Sequence, residues 1–358
     1  AVFGKLIEIS GFSKSIVAAT IKLVGAERAM LAIVLVCALL TYGGVSLFVV
    51  VFAVYPFAAE LFRQNNIPKR LIPGTIALGA FTFTMDALPG TPQIQNIIPT
   101  GFFGTTSWAA PVLGTIGGVF ILIVGMTYLE WRRRTAQRAG EGYGDPALLI
   151  NEPAPFSGGR LANPLLAVLP LLLVGISNLV FTHLILQGYG PSHEFMPSAL
   201  GNAVPVVQEV PKLAAIWAVQ GALLVGIGSI LVLAWKPVAT SFAEGSRAAV
   251  NGALLASMNT ASEYGFGAVI AALPGFMIVA NALGAIPNPL VNQAVTVTAL
   301  AGITGSASGG LSIALAAMGD TFIANAQAYN IPMDVLHRVA SMASGGMDTL
   351  PHNGAVIT

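Results

Sequence analysis

The sequence predicts an all-α polytopic membrane protein made of two inverted-topology repeats, each with a re-entrant helical hairpin and a broken transmembrane helix. The first supporting observation is composition. Of the 358 residues, 55% are hydrophobic and only 9% are charged, whereas a soluble domain carries about a quarter charged residues. The second observation is a set of apolar runs of roughly 20 residues, the length that crosses a bilayer. The third is that polar, helix-breaking motifs interrupt the apolar segments twice, in the same order.

The first repeat is assigned to residues 1–131, and a cytoplasmic linker to residues 132–162. An interfacial amphipathic helix is expected at the start, because basic residues are spread among apolar ones over residues 1–28. The elements that follow are a hairpin at 29–62, a broken helix at 71–100 and a span at 108–130. Each arm of the hairpin, on either side of 41-TYGGVS-46, is too short for a comfortable full crossing.

The second repeat is assigned to residues 163–358. Its predicted elements are spans at 163–186 and 213–235, an interrupted span at 248–286, a hairpin at 293–326 and a broken helix at 335–358. The expected interruption of the third span is 259-NTASEYGFG-267. The chain is expected to be incomplete at both ends, because it begins inside a helical pattern without a methionine and stops just after a motif.

Basic residues predict the orientation of the spans. The segment 131-WRRRTAQR-138 is the strongest cytoplasmic signal. Counting spans backwards from it also places Arg63, Lys69 and Arg70 in the cytoplasm. The loop at 187–212 is then expected on the opposite side of the membrane.

Three short motifs recur in the same order and indicate an internal repeat. They are Gly-Gly-Val-Ser at 43–46 with Gly-Gly-Leu-Ser at 309–312, Asn-Ile-Pro at 66–68 and 330–332, and Met-Asp-x-Leu-Pro at 85–89 and 347–351. The first Asn-Ile-Pro has close basic neighbours that the second lacks, so the charge rule places the two copies on opposite sides. Inverted repeats of this kind put substrate and coupling-ion sites near the midplane, on interrupted helices.

The broken helices suggest a site for an organic anion and a proton. Irregular backbone survives at membrane depth only where it lines a cavity or is buried in protein, and a freed helix N-terminus attracts a carboxylate. We expect Asp86 and Asp348 to carry protons, to cap the next half-helix, or to do both. His352 is interpreted as a proton relay or as a polar residue of a vestibule. Glu263 is interpreted as a proton site or as the anchor of a kink.

Five segments resemble the gluconate permease family of bacterial proton symporters, which belongs to the ion transporter superfamily. They are 41-TYGGVSLFVVVFAVYP-56, 84-TMDALPGTPQIQN-96, 262-SEYGFG-267, 305-GSASGGLSIAL-315 and 345-GGMDTLPHNGAV-356. The resemblance implies proton-coupled uptake of a small hydroxy-carboxylate, such as gluconate, a related sugar acid or a monocarboxylate like 3-hydroxybutyrate. It also implies a multi-pass protein of the bacterial inner membrane, in a superfamily where homodimers are common.

The resemblance further implies which residues bind the substrate. It places the hairpin tips at 41–46 and 306–312 and the loops of the broken helices at 86–93 and 348–353. The implied substrate-binding residues are Thr41, Gly43, Gly44, Ser46, Gly90, Thr91, Ser306, Ser308, Gly309, Gly310, His352 and Asn353.

Other classes of function are less well supported by the residues. An enzyme is not predicted, although two intramembrane aspartates could form an aspartyl-protease dyad; the inverted repeat has no role in that chemistry. An ion exchanger or channel without an organic substrate remains an alternative, because broken helices would serve it equally well. The single cysteine excludes an intrachain disulfide, and no metal, cofactor or nucleic-acid motif is present in a suitable context.

Overall fold

The computed structural model describes residues 2–45, 47–145, 161–195, 206–347 and 350–353. In these ranges the chain is almost entirely helical. The helices are α1 Val2–Ile9, α2 Phe12–Val24, α3 Ala29–Tyr42, α4 Leu47–Gln64, α5 Ile72–Ala80, α6 Phe83–Asp86, α7 Ile94–Phe103, α8 Pro111–Arg138, α9 Pro164–Tyr189, α10 Val210–Leu233, α11 Trp235–Ala271, α12 Pro274–Gly284, α13 Pro289–Thr304, α14 Ala307–Ala328 and α15 Met333–Ser344. Short 3-10 turns precede α3 and α5, at Ala26–Arg28 and Lys69–Leu71.

Several helices are long and apolar enough to cross a bilayer. Among the described residues these are Pro111–Arg138, Pro164–Tyr189, Leu213–Leu233 and Ala307–Ala328. The α8 span leaves large apolar side chains uncovered, with Val112 70% and Phe120 66% exposed. An apolar surface of this extent is stable in contact with lipid and not with water. The prediction of an all-α polytopic membrane protein is therefore confirmed.

The chain divides into two compact units. Unit 1 comprises Ala1–Leu88, Thr115–Leu173 and Val225–Leu255, and unit 2 comprises Pro89–Gly114, Val174–Leu224 and Ala256–Thr358. Each unit is assembled from several separate segments of the sequence. The repeat boundaries assigned above and the inversion of the repeats remain predictions.

Unit 1 is organised around α3, which contacts α2, α4, α5 and α6. Ile33, Val34, Val36 and Cys37 are all fully buried, as expected for a helix that is apolar on every side. At the edge of the unit, Arg70 binds Glu141 through two hydrogen bonds of 2.6 and 2.7 Å. The basic turn before α5 and the end of α8 therefore lie side by side, and the charge rule assigns both to the cytoplasm.

The core of unit 2 is formed by α7, α13, α14 and α15. Leu300, Leu311, Phe322 and Leu336 lie in this core and are at most 3% exposed. The two arms α13 and α14 approach closely at Gly310, where an added Cβ would overlap the backbone of α13. A glycine is required there because backbone, unlike a flexible side chain, cannot move aside.

The structure moves the break in the third span of the second repeat. We expected it at 259–267, but α11 runs without interruption from Trp235 to Ala271. The break occurs instead before Pro274, which begins α12. Proline lacks the N–H that would continue the preceding helix and disfavours helical backbone in the residue before it. Glycine has only a mild helix-weakening effect, so Gly265 and Gly267 are accommodated within α11.

Two further features differ from the prediction. A two-stranded antiparallel sheet, β1 (Ser192–Phe195) and β2 (Val206–Glu209), forms within the expected loop at 187–212, with Ser192 opposite Glu209. The second arm of the 293–326 hairpin, α14, has 22 residues and is long enough to cross a membrane. A re-entrant path for this hairpin therefore remains a prediction.

Candidate functional site

The first hairpin turns at Gly44, between α3 and α4. Gly44 has a φ of 91°, its N–H bonds to the carbonyl of Thr41, and the N–H of Val45 bonds to the carbonyl of Leu40. This is a Schellman cap, in which a left-handed glycine ends a helix. Thr41 is fully buried, and Gly43 packs against Leu171. All of these residues belong to unit 1.

The second hairpin turns at Gly305 and has the same cap. Gly305 has a φ of 67°, and its N–H and that of Ser306 bond to the carbonyls of Gly302 and Ala301. Ser306 then begins α14, because its hydroxyl accepts a hydrogen bond of 3.1 Å from the N–H of Gly309. The tip therefore lies at 304–306.

The position of Gly309 and Gly310 corrects the sequence analysis. We expected both at the hairpin tip, as the counterparts of Gly43 and Gly44. They lie inside the first turn of α14, where both are buried and Gly310 packs against α13. The similarity of Gly-Gly-Val-Ser to Gly-Gly-Leu-Ser is therefore not a correspondence in structure, and Gly310 is a packing residue.

The two Asn-Ile-Pro motifs, in contrast, share one local conformation. Asn66 and Asn330 both adopt positive φ, 48° and 54°. In each copy the asparagine N–H bonds three residues back, and the isoleucine N–H bonds five residues back to the end of the preceding helix. Asparagine tolerates the left-handed region better than most residues, and proline then stops the helix from continuing. The motif is thus a helix terminator used twice.

In both repeats a helix ends three to five residues before the Met-Asp-x-Leu-Pro motif. Helix α5 stops at Ala80, and a single turn, α6, carries Asp86 at its end. Asp86 is 2% exposed in unit 1, where α6 contacts α3. Helix α15 ends at Ser344. Its Asp348 lies outside the described residues, as does Ser46, and Glu263 lies in α11 with its side chain likewise outside the description.

The loop that follows Asp86 is held in unit 2 by packing and by an asparagine. Gly90 has a φ of 76° and lies so close to the ring of Trp108 that a Cβ would overlap it. Its N–H bonds to the carbonyl of Ser107, and its carbonyl accepts a hydrogen bond from Asn178. The next residue, Thr91, is fully buried. Both predicted binding residues therefore lie in a tightly packed turn.

Asn96 joins this loop to α15. Its Nδ2 donates to the carbonyls of Thr91 and Ser107, at 2.8 and 2.9 Å. Its Oδ1 accepts from Nη1 of Arg338 at 2.9 Å and lies 3.2 Å from Nε2 of His337. We call these five residues the Asn96 node.

The Asn96 node is not among the sites predicted from the sequence. Its basic members His337 and Arg338 are both fully buried. The carbonyls of Ala109 and Ser107 also accept from the guanidinium, and Nδ1 of His337 lies 2.6 Å from the hydroxyl of Thr105. One signal was available in the sequence: Arg338 is a charged residue near the start of the predicted broken helix at 335–358, where a charge must be paired or solvated.

His352 and the second hairpin tip do come together. Nε2 of His352 lies 2.8 Å from the carbonyl of Gly302, and its ring lies against Gly305. Ser306 and Ser308 are half-buried beside them, with their hydroxyls 3.4 Å apart. Asn353 is buried, and its N–H bonds to the carbonyl of Leu350. We call Ser306, Ser308, His352 and Asn353 the tip cluster. All four were predicted site residues, and all four carry polar side chains.

Two further observations concern metal binding and the aspartyl-protease pattern. No group of His, Cys, Asp and Glu among them could hold a metal ion. The letters 142-GYGD-145 match the Gly-x-Gly-Asp pattern of intramembrane aspartyl proteases. They follow α8 at its basic end, where the N–H of Tyr143 bonds to Oδ1 of Asn66. Asp145 is exposed and follows the end of the α8 span at Arg138.

Comparison with known proteins adds one relative. No family model and no solved structure matches the chain. The chain is 56% identical, over its whole length and 77% of the relative's, to a protein of Bacillus subtilis (strain 168) named "Uncharacterized transporter YxjC". That name gives no substrate, so the likeness to gluconate permeases remains a resemblance. Identity at this level over the full chain shows that the protein belongs to the same family of transporters as this Bacillus protein.

Proposed function

We propose that the protein is a secondary active transporter that takes up a small hydroxy-carboxylate together with protons. The observation that carries the proposal is the tip cluster, where a broken-helix loop contacts the tip of an interrupted helical hairpin. The hydroxyls of Ser306 and Ser308 lie 3.4 Å apart, and the imidazole of His352 lies 2.8 Å from the carbonyl of Gly302 at the same hairpin turn. Such groups donate hydrogen bonds to a carboxylate and to hydroxyls without requiring a buried fixed charge.

The proton would be carried by a group close to the broken helices. Asp86 is buried in unit 1, and Asp348 stands at the same position of the second motif. In this proposal, a buried carboxyl such as that of Asp86 takes up and releases its proton as the site opens and closes. Glu263 and His352 are the other titratable candidates. We place the protein in the bacterial inner membrane, where a proton gradient is available to drive uptake.

Transport by purified protein in liposomes tests the proposal. With an imposed inward proton gradient, labelled gluconate or 3-hydroxybutyrate should accumulate inside, and a protonophore should abolish the accumulation. The variants Ser306→Ala and His352→Gln should raise the half-saturating substrate concentration about 10-fold or more, since each removes a hydrogen bond to a charged ligand. Proton or sodium flux without accumulation of any hydroxy acid would instead indicate an ion exchanger or channel.

The role of the aspartates requires a second readout. Asp348→Asn should abolish uphill uptake more severely than substrate exchange, because exchange needs binding but no net proton movement. Asp86→Asn provides the matched variant in the first motif. If both variants lose uptake and exchange equally, the aspartates have a structural role and another group couples the proton.

A further inference from the structure

A basic cleft lies in unit 1 beside the end of α8. Its volume is about 710 Å³, and its walls come from the last turns of α8, the turn before α3 and the segment around Ile67. The charged residues that line it are Glu27, Arg28, Glu130, Arg133, Arg134 and Arg138. Four arginines against two glutamates give the cleft an excess of positive charge. This cleft has no part in the transport site described above.

Two of the arginines are available to an added anion. Arg133 and Arg134 share Glu130, at 2.8 and 2.9 Å, and so offset its charge. Arg28 and Arg138 are exposed, and within the described part of the chain neither forms an ion pair. A guanidinium fork binds two oxygens of a phosphate at once, in bidentate fashion.

An apolar groove leads directly into the cleft. The groove has a volume of about 370 Å³ and is lined by Ile123, Val124, Thr127, Tyr128 and Trp131. Thr127 and Trp131 line both the groove and the cleft. Ile123 and Val124 are 59% and 49% exposed on a helix that is long and apolar enough to cross the membrane, so we expect this side of α8 to face hydrocarbon chains. Trp131 lies between the two regions, as tryptophan does at the level of lipid head groups.

We propose that the cleft and groove together bind one anionic phospholipid. The phosphodiester lies between Arg28 and Arg138, and an acyl chain follows the groove along α8. A basic pocket at the cytoplasmic end of a span is a known arrangement for anionic head groups, and the charge rule assigns this end of α8 to the cytoplasm. Phosphatidylglycerol fits because it adds a net negative charge. Phosphatidylcholine binds less well, since its ammonium group meets the same arginines.

The test compares two double variants of the full chain in nanodiscs of phosphatidylcholine. Arg28→Gln with Arg138→Gln removes the free cations of the cleft. Lys236→Gln with Arg247→Gln removes two exposed cations of α11 that do not line it. Phosphatidylglycerol is titrated in, and binding is followed by native mass spectrometry and by the rise in apparent Tm. We expect the cleft variant to bind roughly 10- to 30-fold more weakly, since each of the two removed basic residues contributes about 5-fold near a membrane surface, and the α11 variant to bind as the wild type does.

Two further measurements distinguish binding of a lipid from binding of a free anion. Inorganic phosphate at millimolar concentration should give little stabilisation, because it cannot use the groove. Phosphatidylglycerol brominated on its acyl chains should quench the fluorescence of the wild type more than that of Trp131→Phe. If the double cleft variant is not folded in phosphatidylcholine alone, Arg138→Gln replaces it. Equal binding by the two double variants, full stabilisation by phosphate alone, or equal quenching with and without Trp131 would each overturn the proposal.

Discussion

Replacing Asn96 should show how strongly unit 2 depends on the Asn96 node. The substitution Asn96→Ala removes the acceptor of one charge-assisted hydrogen bond from Arg338 and two donors to the carbonyls of Thr91 and Ser107. A hydrogen bond to a charged group contributes about 1.5–3 kcal/mol and a neutral one about 1 kcal/mol. Some relaxation is expected around the site. The free energy of unfolding should therefore fall by about 3–4 kcal/mol.

Gln95 supplies the matched control in the same helix. It is 5% exposed, and its Oε1 has no hydrogen-bond partner among the described residues. Gln95→Ala loses packing but no described hydrogen bond, so its cost should be about 1–2 kcal/mol. At roughly 2–4 °C per kcal/mol, the apparent Tm in detergent should be about 4–8 °C lower for Asn96→Ala than for Gln95→Ala. Equal melting temperatures would refute the role assigned to Asn96.

A third variant distinguishes the contact of the Asn96 Oδ1 acceptor with Arg338 from the hydrogen bonds that its Nδ2 donates to the loop. Asn96→Asp keeps an acceptor for Arg338 but places a carboxylate oxygen 2.8 Å from the carbonyl of Thr91, where a donor now lies. Its stability should fall between those of the wild type and Asn96→Ala, because the ion pair offsets part of the repulsion. A variant less stable than Asn96→Ala would mean that the donors to the loop, and not the contact with Arg338, dominate the node.

Three other substitutions test particular contacts. Gly90→Ala should lower the free energy of unfolding by about 3 kcal/mol or more, because Gly90 has a positive φ and an added Cβ would overlap an indole ring. Gly104 has a similar φ but lies in open space, so Gly104→Ala should lower it by only about 1–2 kcal/mol. The apparent Tm of each variant checks this difference. Gly310→Ala should separate α13 from α14 and lower the folded fraction recovered by size-exclusion chromatography, and full recovery would contradict the close approach. The hydrogen bonds from Arg70 lower the pKa of the Glu141 carboxyl in the folded protein. The pair therefore stabilises the folded state at any pH above the carboxyl pKa of the unfolded chain, and this stabilisation is lost as the pH falls through the lowered pKa of the folded state. Glu141→Gln should therefore reduce the apparent Tm slightly at pH 7 and have a smaller effect near pH 3.5.

The long spans could be predicted because their signal is local. The predicted spans at 108–130, 163–186 and 213–235 correspond to Pro111–Arg138, Pro164–Tyr189 and Val210–Leu233. The largest difference is at the end of α8, which continues to Arg138 and so includes the first residues of the predicted cytoplasmic linker at 132–162. Arginine favours helix, and Glu130 pairs with arginines three and four residues later. Hydropathy alone does not detect such an extension.

The Asn96 node could not be predicted because it depends on long-range contacts. Asn96 and Arg338 are 242 residues apart, and neither residue type at its position indicates the other. Burial of a guanidinium is tolerable only when several acceptors already surround it. That condition is a property of the folded unit and leaves no periodic pattern. For the same reason His352 was identified through its motif, while His337 was not.

The positions of the helix caps align the two predicted repeats more reliably than the motif sequences do. Between the caps at Gly44 and Asn66 lies α4, with 18 residues, and between those at Gly305 and Asn330 lies α14, with 22. Helix α14 is therefore longer by about one turn, or about 6 Å. Because a cap is imposed by backbone geometry, its position marks equivalent points of the two segments even when their side chains differ. The pair of glycines in α14 resembles that at the first tip only by coincidence of letters, since one pair ends a helix and the other allows two helices to touch.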